Sequence, residues 1–529
     1  MNRERVHHII YTGCLCLLAI SIPLSNFLLS LGGIFIALNW FLEWNWKEKW
    51  ENLKRNRSAF VLSIFFLLCL LTLLQTDNTS AGLSNILNKL PLFYTPLIMA
   101  SSRPLSGGEQ RLVLNSFLAG TLIGTFVSSV YYCTHDIRDI REISVFISHI
   151  RFSLCIIWAM CLSVFFISEV KVYPKKARNL YTVVLLWLLT YLFIAQTITG
   201  IFIFLCLIFF LFIYLFMKRK YIPYRKWIIG GTIGLMALLA LYSFHILYDY
   251  YHVNKKELVT LEEKTANGNP YFHDTESIIE NGSYIGLYIS HEELRSEWSS
   301  RSDIAYDSAL ESTLIRYLNS KKLRKDAEGV KALSDKDIWN IENGIANVEY
   351  TRGFGIKRSL YPILFSFSLY HKYGKTDYST ILERVELWKT SLNVIRNHFW
   401  TGVGAGDHKA ALDAQLTAQH SSITYKKEMG CHNQFLTYGL MGGIWLVVYF
   451  IFTLIYPFLN NRHSRHLLYI LFFIIIFVSL FTEDTLETQV GVTLYAFFNS
   501  FLLFIFDKNR IKKQPLLKIK THKSKSQQL

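Results

Sequence analysis

The chemistry in this chain centres on the run Cys431-His432-Asn433-Gln434, which opens an apolar stretch continuing through Gly439 to Gly443. His432 is the residue type whose proton exchanges near neutral pH, so it is the candidate general base or hydrogen-bond donor, with Asn433 and Gln434 beside it. If a helix includes His432, then at about 100° per residue Gly439 and Gly443 fall within about 20° of it. Two readings follow. One is a helix-packing face of small residues with a histidine at the membrane interface. The other is a groove for a lipid chain with a catalytic histidine at its mouth. Two arginines join this group. Arg384 stands between Glu383 and Glu386, with Trp388 one turn on, and Arg151 opens an apolar run after Ser148-His149-Ile150. Each reads either as a snorkelling or glutamate-paired cation, or as a planar, permanently charged fork for a diphosphate.

Other chemistries find little support. The run Thr401-Gly402-Val403-Gly404-Ala405-Gly406-Asp407 lacks the spacing and the preceding strand of a dinucleotide fingerprint. It reads instead as a loop where backbones approach closely. The histidines and acids show no metal-ligand spacing, no phosphate loop is present, and neither cofactor nor metal is expected. Charged residues inside the apolar runs look nearly absent, which argues against an ion-coupled transporter. Cys133 and Cys431 both fall on the outer side, where a disulfide is chemically possible.

These residues must be positioned by a membrane domain. Of 529 residues, 51% are hydrophobic and 18% charged, well below the usual charged fraction of about 25%. Apolar stretches recur near 9–24, 27–42, 59–75, 86–100, 113–132, 152–168, 180–195, 199–216, 228–247, 433–458, 467–481 and 490–506. The sequence thus predicts an all-α polytopic membrane protein with about twelve spans. With the N-terminus inside, one face holds 28 Lys and Arg against 7 Asp and Glu, in clusters around Lys47–Arg57, Lys171–Arg178, Lys218–Lys226 and Lys508–Lys525. That asymmetry puts both termini in the cytoplasm. It also makes the basic tail a topology anchor rather than a nucleic-acid site. The expected organisation is 1–247 with nine spans, 248–431 as one large outer segment, 432–507 with three spans, and 508–529 as the tail. The outer segment reads as short helices, at Ser308–Asn319, Lys331–Asn343 and Tyr378–Trp400, with turns at Asn267–Pro270 and Asn281–Ser283. In the last helix Val385, Trp388, Leu392, Ile395 and Phe399 form an apolar stripe expected to lie on the membrane domain or its lipid surface.

Arg384-x-x-x-Trp388, then Trp400 through Gly406, then His432-Asn433 followed by Gly443, resemble the O-antigen ligase and polymerase superfamily. The runs Gly282-Ser283-Tyr284 through Glu293-Leu294 and Arg316 through Ala327 are similar to its branch in Bacteroidota. The resemblance implies a GT-C-like glycosyltransferase in the bacterial inner membrane, with its large segment in the periplasm before the tenth span. It implies a glycan donor on undecaprenyl diphosphate and a lipid A–core acceptor for a ligase, or a further repeat unit for a polymerase. A protein oligosaccharyltransferase belongs to the same group. Arg384 and Arg151 would hold the donor diphosphate, and His432 would orient or deprotonate the acceptor hydroxyl. Where the ligase pattern commonly has Leu after the arginine this chain has Trp388, and Leu446 stands where a small residue or Tyr is usual. The rivals from other classes are a glycolipid flippase and a structural assembly protein.

Overall fold

The computed structural model describes residues 3–135, 137, 140–170, 172–217, 225–253, 258, 261–351, 356–376, 379–423 and 428–513. Lys171, Lys218, Arg219, Lys220, Tyr378 and the tail beyond 513 lie outside these residues. Each of the twelve apolar stretches is occupied by a helix or a pair of helices. Among the described residues five helices are long and apolar enough to cross a membrane, and a bent pair, Asn26–Leu42 with Trp46–Arg55, raises that to six. Shorter apolar helices lie at Ile198–Tyr214, Leu467–Thr482 and Gln489–Ile505. The chain is a multi-pass membrane protein. The stretch 86–100 is not one helix: Thr79–Asn88 ends before Pro91, which starts the helix Pro91–Ser101. A proline lacks the amide that an uninterrupted helix would need there, but suits a first turn.

The chain divides into two compact units. The first comprises 1–211, 387–419 and 426–529. Its core is aromatic and aliphatic, with Phe117, Trp158, Phe450, Phe472 and Phe498 fully or almost fully buried. The helix His149–Ser168 lies at the centre of this core, with Trp158 edge-on to Phe472 and Phe498. Burial of such rings contributes roughly 25 cal/mol per Å² of apolar surface in water, and packing and dispersion take over where the surroundings are lipid.

The second unit comprises 212–386 and 420–425. It includes the long helix Arg225–Tyr251 and short helices at His291–Arg301, Ser308–Ser320, Ala327–Lys331 and Asp335–Glu342. Trp298, Leu314, Tyr317 and Leu318 form its core. The turn at Asn281–Ser283 joins two-residue strands Ile279–Glu280 and Ser283–Tyr284, as an Asn-Gly pair favours. Glu280 is fully buried and takes both Nε and Nη2 of Arg316 at 2.9 Å, while Arg316 lies 3.4 Å over the Phe365 ring. The resemblance-bearing runs around Gly282 and Arg316 thus build the centre of this unit. Asp326 caps the helix Ala327–Lys331 through Gly329 N.

Candidate functional site

The helix Gln434–Asn460 starts one residue later than the sequence suggests, and it is broken. Asn433 is its cap, accepting from Phe435 N and Leu436 N, so His432 lies outside the helix in a left-handed conformation with φ 51°. The expected face of His432, Gly439 and Gly443 is therefore not formed: Gly442 and Gly443 have non-helical angles and split the helix in two. The exposed backbone at the break is satisfied by the glycine run. Val403 N donates to Leu440 O at 2.7 Å, Gly404 N to Met441 O at 3.0 Å, and Ile444 N to Phe399 O at 2.9 Å. Side chains have no room here. A Cβ at Gly443 would lie 2.5 Å from the Trp400 carbonyl carbon, and one at Gly404 would lie 2.3 Å from Thr76 Oγ1. Gly439 faces Ile395, where a Cβ would come within 2.8 Å of Cδ1. The glycine run is a backbone-packing loop that holds the half-helix leading away from His432.

The apolar stripe of the helix Thr380–Asn397 is split, with Trp388 and Ile395 half-buried and Ile395 set against Gly439. Val385, Leu392 and Phe399 are exposed, whereas Leu387, Thr390, Ser391 and Val394 are buried. Ile395 thus reaches the membrane helix, as one of the two expected placements requires, and the rest of the packing face is partly polar. Trp388 is half-buried, and its Nε1 is buried without a hydrogen-bond partner. The boundary between units falls within this helix, after Glu386, and Arg384, half-buried, belongs to the second unit.

His432 is held by the short segment between the last two apolar helices. Asp484 accepts His432 N at 2.9 Å, Asn433 N at 3.0 Å and Thr437 Oγ1 at 2.6 Å. A carboxylate at a helix N-terminus gains from the unpaired amides and the helix dipole. Gly430 leaves it space, since a Cβ there would lie 2.2 Å from Asp484 Oδ2. The neighbouring Glu483, 2% exposed at its side chain, lies 3.4 Å from His432 Nδ1 and 3.8 Å from Arg151 Nη1. Arg151 also donates from Nη2 to Asp484 O at 2.8 Å, while its Nε is buried without a partner. The structure thus brings Arg151, His432 and Asn433 around Glu483-Asp484. Gln434 is tied to the same segment, donating to Glu487 Oε1 at 2.9 Å and accepting from Leu486 N at 2.7 Å.

Glu487 completes the support. Lys89, fully buried, donates to its Oε2 at 2.8 Å and Asn85 does so at 2.6 Å. Burial alone would raise the Glu487 carboxyl, but Lys89 and His408 more than offset this and hold it below its ordinary value. Burial pushes the His408 ring down. Burial, reinforced by the Asp484 carboxylate, pushes the Cys431 thiol up, so it is not poised as a nucleophile. Cys133 and Cys431 are both free thiols. The expectation that charges are nearly absent from the apolar runs meets one exception in Lys89, buried within 86–100, while Glu483, Asp484 and Glu487 are held between two runs. Their signal was three acids in Glu483-Asp484-Thr485-Leu486-Glu487, between two apolar runs, and a lone lysine at the edge of another. Among the described residues no group of three or more His, Cys, Asp or Glu is arranged to hold a metal.

Chemically, the pair of Glu483 and His432 is a buried carboxylate facing an imidazole that is 34% exposed. With Nδ1 donating to Glu483, Nε2 carries the lone pair and can accept a proton. At 3.4 Å the contact is long for a hydrogen bond, as catalytic pairs often are without substrate.

Comparison with known proteins adds one match. Residues 353–451 match the family model described as O-antigen ligase, and this supports membership of that family. The matched span contains Arg384, Trp388, the glycine run, His432 and the helix break; Arg151 and Glu483 lie outside it. No curated protein matches the chain.

Proposed function

We propose, from the premise of membership in the O-antigen ligase family, that this protein transfers a lipid-linked glycan at the outer face of the bacterial inner membrane. The observation that carries this reading is the match over residues 353–451. The donor is a glycan on undecaprenyl diphosphate and the acceptor a sugar hydroxyl of lipid A–core. His432 Nε2 takes the proton of that hydroxyl, the oxygen bonds to the anomeric carbon, and the bond from that carbon to the diphosphate oxygen breaks. The undecaprenyl diphosphate leaves with the charge, which Arg384 and Arg151 stabilise through their planar donor forks. Asn433 and Gln434 fix the backbone at His432, while Trp388, Gly439 and Gly443 shape the helices that carry it. The lipid diphosphate is an activated leaving group, so the proposed step draws on no nucleotide and no metal.

The second reading is the repeat-unit polymerase, favoured by the departures at Trp388 and Leu446. A lipopolysaccharide gel from the host lacking the gene separates them. A bare lipid A–core band, with long glycan retained on the carrier, is the expected result. A core bearing a single repeat identifies the polymerase, and an unchanged ladder rejects lipid A–core as the acceptor.

A further inference from the structure

The helix Trp46–Arg55 has a feature that the transfer reaction does not use. It follows the apolar helix Asn26–Leu42 after a turn of 114°, with Trp44 at φ 57° in the bend. If the first helix crosses the bilayer, the second runs along its surface. Its inner edge is fixed. Lys49, 3% exposed, donates to Trp40 O and pairs with Glu43 at 3.1 Å, and Asn52 donates to Ser101 O at 3.1 Å. Leu53 packs in a small core with Ala59 and Ala100.

The adjoining sector carries Trp46, Trp50, Lys54 and Lys47, which span about 100° of the helix at about 100° per residue. Trp50 is 53% exposed and Trp44 is 72% exposed, while Lys54 Nζ lies 5.4 Å over the Trp50 ring. Lys47, Lys54, Arg55 and Arg57 are all exposed. Of the nearby acids, Glu43 pairs with Lys49 and Glu48 meets Arg103 at 3.4 Å, while Glu51 is exposed on the same helix. Exposed indoles beside lysines suit the headgroup level of a bilayer, where the ring sits at the acyl boundary and the ammonium meets phosphate.

We propose that this helix is a docking surface for anionic phospholipid of the leaflet it lies against, gripped by Lys47 and Lys54 beside Trp50. Lys47, Lys54, Arg55 and Arg57 outnumber the one exposed acid among them, Glu51, so the surface is net positive, and it continues from the exposed apolar residues Phe41 and Leu42. A basic group near an anionic leaflet changes local affinity by roughly fivefold, so the lipid preference at Trp50 is several-fold.

The test uses the full chain in nanodiscs of phosphatidylcholine and phosphatidylglycerol, with brominated acyl chains on one lipid or the other. The Trp50 contribution is the emission of the wild type minus that of Trp50→Phe. Bromine on phosphatidylglycerol is expected to quench it several-fold more than the same mole fraction on phosphatidylcholine. In Lys47→Gln/Lys54→Gln the ratio falls towards one. High salt should lower it in the wild type as well, which decides the matter even if the double variant does not fold. Equal quenching by the two lipids, or a preference indifferent to both charge removal and salt, overturns the proposal.

Discussion

Glu483 sits beside a guanidinium and an imidazole with 2% of its side chain exposed. A carboxylate in so dry a place is stable only while its partners remain. In the proposed mechanism it is a positioning residue: it sets the His432 tautomer and favours the protonated ring after proton transfer. Glu483→Gln keeps the shape and loses the charge. It is expected to lower kcat by about 10²-fold or more, with the pH profile of kcat displaced. Glu483→Asp should recover part of the rate. Full activity and an unmoved profile in Glu483→Gln would remove the pair from the mechanism. Arg384→Lys should also be impaired, because an ammonium does not reproduce the fork; wild-type transfer by that variant would leave Arg384 a snorkelling or glutamate-paired cation. At this scale the sequence made His432 legible, since its type and its place before an apolar run single it out. It did not make Glu483 or Asp484 legible. Acids in a short loop read as solvated until contacts 333 residues apart, such as Arg151 to Asp484, take them out of water.

A helix that stops and restarts at Gly442-Gly443 depends on its glycines for space as much as for conformation. Gly443 combines φ 64° with a Cβ position 2.5 Å from backbone of Trp400, which has no flexible end to move aside. Gly443→Ala is expected to cost about 1–3 kcal/mol from the left-handed angle alone, plus the displacement of the 399–404 loop. Thermal melting of the full chain in nanodiscs checks this; an unchanged midpoint would mean that the break does not depend on the close approach. The sequence disclosed the glycines and their small size, and it correctly suggested close backbone packing around 402–406. It misplaced His432 on the helix face because a 3.6-residue period carries no mark of the point where a helix begins, nor of a break inside it. The exposed Leu392 and Phe399 show the same limit, since an apolar period does not say which of its residues the protein covers.

At the scale of the whole molecule, the chain divides into two units, and the second holds the long helix Arg225–Tyr251 as well as the short helices. The membrane unit was legible from composition and hydropathy, and the number of crossings was less so, because short, bent and split helices share one apolar signature. The outer segment, 248–431, was read as short helices and turns, and its buried charges went unseen. Lys325, 3% exposed, donates to Asn319 Oδ1 at 2.8 Å, and burial, assisted by Arg324, lowers its ammonium to about 7. An unfolded lysine titrates near about 10.4. Between these two values the unfolded state binds the extra proton, so stability rises with pH across that window, and below it the full cost of burying the charge is present. Lys325→Met in the full chain should flatten this dependence between about pH 7 and 10, and should melt higher than the wild type below it. A wild-type midpoint independent of pH over that range would contradict the buried charge.

In the proposed reaction a membrane protein transfers glycan with His432 as the reactive base. The most direct measurement is transfer by the purified full chain in liposomes, supplied with glycan on undecaprenyl diphosphate and with lipid A–core, beside His432→Ala prepared identically. The prediction is glycan joined to lipid A–core and undecaprenyl diphosphate released by the wild type, with both products lost in His432→Ala although the protein remains folded in the bilayer. Equal transfer by the two proteins would contradict the role given to His432, and no transfer by an intact wild type would contradict the proposed reaction.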